Sequence, residues 1–357
     1  MSKGLSEGDR VMPARIAALS RRRVLAAPLA ALLARWATDA ASARADEATC
    51  SGAVCSCACD DIACFLLAWG QGGDGDVQFL IPIGLAVGPD GSVYVTDYHG
   101  GQVFVFDPGG QFRGARGTPG RGDGQFSSPA GVAVAPDGTL YVSDYKDHRV
   151  QSFDARGTHL GQWGAQGAGD GQFAVPGGIA ISPDGTVYVA DTGNDRIQSF
   201  DASGVYLGQW GRTGAGDGEF ESPFDVAVAA DGSVYVADSG NARIQRFDAT
   251  GAFLGKWGRQ GTGSGEFGFP VDVATRDDGA IFVVDAASRV QVFDASGAYI
   301  GEWGTEGRGD GEFITADAVA VAPDGTVYVS DFYKSHIQAF CVTVAGVATA
   351  TPVSTST

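Results

Sequence analysis

The chain has 357 residues, with 24 Lys and Arg set against 42 Asp and Glu, a net charge of −18. Such an acidic balance repels phosphate backbones and argues against a nucleic-acid partner. The 55 glycines and 14 prolines point to many short elements joined by turns rather than to long helices.

In chain order, residues 1–45 read as an export signal. Ser20-Arg21-Arg22-Arg23-Val24-Leu25 resembles the twin-arginine motif, with Val where Phe is usual. A modestly apolar stretch over 24–33 follows, too short to span a bilayer. Ala43-Arg44-Ala45 fits a small-residue cleavage site before Asp46. Removal would take away eight basic and three acidic residues and leave a net charge of −23. The expected location is outside the cytoplasm: extracellular, cell-surface or periplasmic. Residues 46–61 form a Cys-rich segment carrying Cys50, Cys55, Cys57 and Cys59. These four allow three pairings among themselves, and a CxCxC metal cluster is the competing reading.

The main body is a repeat. Asp-Gly recurs at Asp90, Asp137, Asp184, Asp231, Asp278 and Asp324, in steps of 47, 47, 47, 47 and 46 residues. A period in this range means a solenoid, a propeller or an array. Within one unit, 176–222, an apolar run ends at Pro183-Asp184-Gly185, a hairpin turn. Val187-Tyr188-Val189, Arg196 to Phe200 and Tyr206 to Trp210 read as three more strands, with a turn at Asp201-Ala202-Ser203-Gly204. Four short antiparallel strands per unit make a propeller blade. The expected fold is an all-β, six-bladed propeller over residues 62–342, followed by a disordered Thr/Ser-rich tail, 343–357.

The run Tyr-Val-Ala-Asp-x-Gly-Asn-x-Arg-Ile-Gln-x-Phe (188–200, 235–247) and the closing Leu-Gly-x-Trp-Gly (207–211, 254–258) resemble the NHL-repeat family, whose domains are usually six-bladed propellers. The resemblance implies relatives such as the binding domains of tripartite-motif proteins, a peptide-amidating lyase and many exported bacterial proteins. It implies little about this chain's activity.

The strand 64–70 matches the fourth strand of a blade, and the last unit lacks Leu-Gly-x-Trp-Gly. The first strand is therefore expected to complete the sixth blade and remove the exposed edges; the alternative is an outer strand from 341–347. Cys64 and Cys341 align with positions flanking the missing hairpin turn, so a Cys64–Cys341 disulfide is expected to replace it.

Residues common to all blades read as scaffold. The Asp ending each second strand (Asp97, Asp144, Asp191, Asp238, Asp285, Asp331) is expected to accept loop N–H groups and to pair with a nearby Arg, as Asp191 with Arg196. The Gly-Asp-Gly loops carry too few ligands each for calcium, and the Trp series (Trp69, Trp163, Trp210, Trp257, Trp303) reads as sheet packing. The departures from the repeat are the candidate site. In the loop between second and third strands, blades three to five have small residues. Blade one has Tyr98 and His99, blade two Tyr145, Lys146 and His148, blade six Tyr333, Lys334 and His336. Blades six, one and two are neighbours in a closed ring, so these eight residues form an expected ligand-binding arc with exposed tyrosines. A zinc site from His99, His148 and His336 is the metal reading. Asp225 and Asp272, beside the axial channel, are the alternative site. The expected function is non-enzymatic binding of a protein, peptide or glycan by a monomer with no cofactor. The alternative is a metal-assisted lyase or hydrolase, using zinc or calcium, at the channel mouth.

Overall fold

The computed structural model describes residues 49–50, 55–56, 62–70, 77–286 and 288–344. The export signal, its cleavage site, the pairing of Cys50, Cys55, Cys57 and Cys59, and the tail beyond residue 344 lie outside the described residues.

Six four-stranded antiparallel sheets follow one another around an axis. Blade one comprises Pro82–Val87, Val93–Asp97, Gln102–Phe106 and Phe112–Arg116. Blade two begins with Pro129–Val134, blade three with Pro176–Ile181, blade four with Pro223–Val228, blade five with Pro270–Thr275 and blade six with Ala316–Val321. These first strands are innermost and touch their neighbours all the way round, the sixth closing onto the first. The second strands are buried along their whole length, because both faces of each sheet are covered by adjacent blades. The interfaces are filled by the β-branched and aromatic residues the repeat supplies, such as Val187, Val189, Phe173 and Phe200 between blades two and three.

Every fourth strand except that of blade one ends in a Trp. Trp163, Trp210 and Trp257 lie against Gly204, Gly251 and Gly297, where an added Cβ would come within 2.5–2.8 Å of the indole. Those glycines also have φ of +84 to +88°, so the turn needs glycine twice over. Arg116 breaks the Trp series and fills the same place over Gly157.

The ring closes as the repeat arithmetic implies. Ala63–Trp69 is the outermost strand of blade six, antiparallel to His336–Val342, with Ile337 opposite Trp69 and Cys341 opposite Cys64. The alternative, an outer strand beginning at residue 341, is excluded because Cys341 and Val342 belong to the third strand. Both Cys64 and Cys341 are disulfide-bonded.

Candidate functional site

The strand directions put the second-to-third-strand loops and the start of every innermost strand at one end of the ring. Asp97 opposes Pro82 in blade one, and Asp144, Asp191, Asp238 and Asp285 oppose Pro129, Pro176, Pro223 and Pro270. The loop arc and the channel carboxylates therefore share a face.

The six buried aspartates at this end are scaffold. Asp97 accepts from the amides of Leu80, Ile81 and Gly100, and Asp144 from those of Ser127, Ser128 and Asp147. Asp191 and Asp238 add ion pairs with Arg196 and Arg243 at 2.7 and 2.6 Å, and Asp285 pairs with Arg289 at 3.2 Å. The guanidiniums also donate to carbonyls of the preceding loop, Arg243 to Gly216 and Glu219 among them. Blades one, two and six depart from this expectation: Gln102 and His336 stand opposite Asp97 and Asp331, and Arg149 lies 3.7 Å from Asp147.

Three members of the expected arc serve the scaffold. His336 stands at the first position of its strand, where blades two to five have Arg149, Arg196, Arg243 and Arg289. It is 2% exposed, its Nδ1 is buried without a hydrogen-bond partner, and burial pushes its pKa down to about 4. Lys334 does the carbonyl-binding work of the missing Arg, donating to Gly309 and Glu312 at 3.1 and 2.7 Å. His148 has a positive φ of 53° and accepts from the amide of Val175 at 3.0 Å. Asp195 makes the equivalent bond to Ser222 in the next blade. With His148 and His336 so engaged, the three arc histidines do not converge. Among the described residues, no group of three or more His, Cys, Asp or Glu is placed to hold a metal ion.

The expected exposure of the tyrosines is corrected for two of three. Tyr98 is 5% and Tyr145 4% exposed, while Tyr333 is 51% exposed. The position after the closing Asp points toward the neighbouring blade: its hydroxyl counterparts Thr192 and Ser239 donate to Pro223 and Pro270 of the next innermost strand. Tyr98 and Tyr145 are instead edge-to-face, 5.9 Å between centroids. His99, exposed, lies 5.3 Å from Tyr98, and the Lys146 ammonium is 5.8 Å from the same ring. In blade six, Phe332 and Tyr333 stack edge-to-face at 4.8 Å. The arc thus holds two aromatic groups, one at blades one and two and one in blade six, with His99 and Tyr333 at its surface.

On the innermost strands of blades four, five and six lie Asp225, Asp272 and Asp317. A bulge in each innermost ladder frees an amide at its start. In blades one, two and six, hydroxyls of Thr96, Ser143 and Ser330 accept from Gly84, Gly131 and Ala318. Where the second strand offers Ala237 or Val284 at that register position, no hydroxyl is available. Asp225 accepts from Val273 at 3.0 Å and Asp272 from Val319 at 3.1 Å, each an amide of the next blade one position beyond the one that the hydroxyls serve. Asp225 fits because residue 178 is glycine; a Cβ there would stand 1.7 Å from its Oδ1. Burial raises the pKa of Asp225 to about 7 and of Asp317 to about 8. Burial, and then the charge of Asp225, holds Asp272 well above the usual carboxylate range. Asp317 escapes the sequence reading because it aligns with Val271, one position before the Asp225 and Asp272 register, even when the 46-residue step is used.

These sheets and their closure define a six-bladed β-propeller. Residues 79–106 and 126–153 match the NHL repeat, and 164–259 match the SMP-30/Gluconolactonase/LRE-like region; together with the six blades these matches support an NHL-repeat type of propeller. No curated protein matches the sequence. A streptogramin B lyase structure is similar over 78% of this chain and 96% of its own, at 15% identity and TM-score 0.55. A gluconolactonase from Xanthomonas campestris covers 74% and 87%, at 14% identity and TM-score 0.55. A virginiamycin B lyase from Staphylococcus aureus covers 78% and 99%, at 12% identity and TM-score 0.53. At these identities the likeness is one of fold.

Proposed function

We propose that this propeller is an exported, non-enzymatic binding module. It takes a protein, peptide or glycan on the face carrying the second-to-third-strand loops of blades six, one and two. The observation that carries the reading is the pair of aromatic groups at blades one, two and six, where blades three to five have Thr192, Ser239 and Ala286. Exposed rings on a rigid scaffold recognise apolar and sugar faces at low entropic cost. Lys146 suits an acidic or amphipathic ligand on an otherwise acidic protein. The test is a screen of glycan and peptide arrays with the wild type and a His99→Ala/Tyr333→Ala double variant. The reading expects bound probes to be lost in the variant while its melting temperature is unchanged; retention of every probe would refute it.

A second reading rests on the three protonatable carboxyls at the axis. Asp225 and Asp317, with raised pKa values near neutrality, could act as a general acid and base, as in a lyase or hydrolase. A streptogramin B lyase and a gluconolactonase share this fold, which is compatible with such chemistry. Asp225→Asn with intact array binding and lost turnover of a lactone or cyclic-peptide probe would select it. Export itself is tested by N-terminal sequencing of the natively produced protein, with Asp46 the expected first residue.

A further inference from the structure

The innermost strands meet around the axis in two chemically different halves. In blades one, two and three the position two after the opening proline is Gly84, Gly131 and Gly178. Neutral hydroxyls tie the first two seams: Thr96 donates to the Ala130 carbonyl of blade two at 2.7 Å, and Ser143 to the Gly177 carbonyl of blade three at 2.6 Å. In blades four and five the same position is Asp225 and Asp272, and blade six carries Asp317 one place earlier. The carboxyls of Asp225 and Asp272 each cross a seam, to the amides of Val273 in blade five and Val319 in blade six. Asp317 makes no hydrogen bond among the described residues; burial and the charge of Asp331 act on it. The charges of Asp225 and Asp317 both act on Asp272.

Among the described residues no Lys, Arg or His is paired with any of the three carboxyls. The second strands packed against them end in Asp191, Asp238, Asp285 and Asp331, with Tyr188, Tyr235 and Tyr328 further along. The innermost strands of blades one and three hold no titratable group. Arg196, Arg243 and Arg289 are paired with Asp191, Asp238 and Asp285, and Lys334, beside Asp331, donates to Gly309 and Glu312.

We infer that this half of the ring is a proton-controlled seam: Asp225, Asp272 and Asp317 let blades four, five and six close on one another at the axis while they are protonated, and their ionisation drives these innermost strands apart. Like charges on adjacent strands repel, and a poorly solvated site without a counter-charge screens them weakly. Separating the strands relieves the repulsion and admits water, at the cost of the two carboxyl–amide bonds that cross the seams. The glycine half carries no such charge. In the closed seam Asp225 keeps its proton up to about pH 7 and Asp317 up to about pH 8, whereas opened and solvated carboxyls release theirs near pH 4. Opening therefore releases protons between those values, becomes easier as pH rises through the window and levels off above it.

The test is hydrogen exchange on the full chain from about pH 5 to about pH 9, read as protection factors so that the intrinsic pH dependence of exchange cancels. Protection in Pro223–Val228, Pro270–Thr275 and Ala316–Val321 should fall by at least about tenfold from pH 5 to pH 8 and level off above. Protection in Pro82–Val87, Pro129–Val134 and Pro176–Ile181 should change by less than about threefold. An Asp225→Asn/Asp272→Asn/Asp317→Asn variant should lose the fall. Asp317→Asn alone gives up no hydrogen bond and should shrink it, which keeps the test decisive if the triple variant does not fold. A flat wild-type profile, an equal fall in all six innermost strands, or an unchanged fall in Asp317→Asn would overturn the inference.

Discussion

The ammonium of Lys334 donates to the carbonyl of Glu312 at 2.7 Å, the bond that the guanidinium of Arg243 makes to Glu219 two blades earlier. A residue that looks like a departure from the repeat is thus the repeat's own contact, reached from a position two residues earlier in the period. Lys334→Ala removes this bond and its partner to Gly309, and should destabilise by about 1–3 kcal/mol. Chemical denaturation of the variant checks it, and Lys334→Met, which keeps most of the stem, should lose nearly as much.

Arg196 and Asp191 are both buried and 2.7 Å apart. Arg196→Met leaves the carboxylate in the interior without its cation and should cost about 3–5 kcal/mol. Urea titration should show a lower midpoint with an unchanged slope.

Tyr145 is packed against Tyr98 rather than standing in solvent. Tyr145→Ala should therefore cost about 3 kcal/mol, as removal of a buried aromatic ring does. His99→Ala should stay within about 0.5 kcal/mol, as expected at an exposed site. Thermal melts of the two variants side by side distinguish a buried from an exposed arc.

Asp317 keeps its proton in the folded protein up to about pH 8, whereas an unfolded chain releases it near pH 4. The folded state thus binds the extra proton between those values, and stability falls as pH rises through the window. Asp317→Asn removes that loss. Its melting temperature relative to wild type should rise steadily from pH 5 to pH 8 and level off above. A constant difference across the range would show that Asp317 ionises normally.

Much of this was legible in the sequence. Glycine at turns, alternation within strands and the near-constant step specify blades, and the orphan strand at 64–70 with the truncated sixth unit specifies closure. The Asp191–Arg196 pair was legible too, since both residues recur with the repeat. The site was less so. Departure from a repeat signals a changed role, but not exposure. Tyr98 and Tyr145 turn inward because the position after Asp97 and Asp144 faces the adjacent blade. His148 sits on a position whose partner, Val175, belongs to another unit, and His336 takes the register position that holds Arg in blades two to five. Such contacts between blades cannot be read from one unit. Asp317 was hidden because it stands one position before the register that Asp225 and Asp272 share.

The account's central claim is that ligands meet the loop face at blades six, one and two. Hydrogen exchange of the protein with and without a probe selected on the glycan or peptide array tests it most directly. The account predicts new protection confined to peptides covering residues 98–101, 145–148 and 332–335. Protection at Pro223–Val228 and Pro270–Thr275, with those three loops unchanged, would contradict it and place the site at the channel carboxyls.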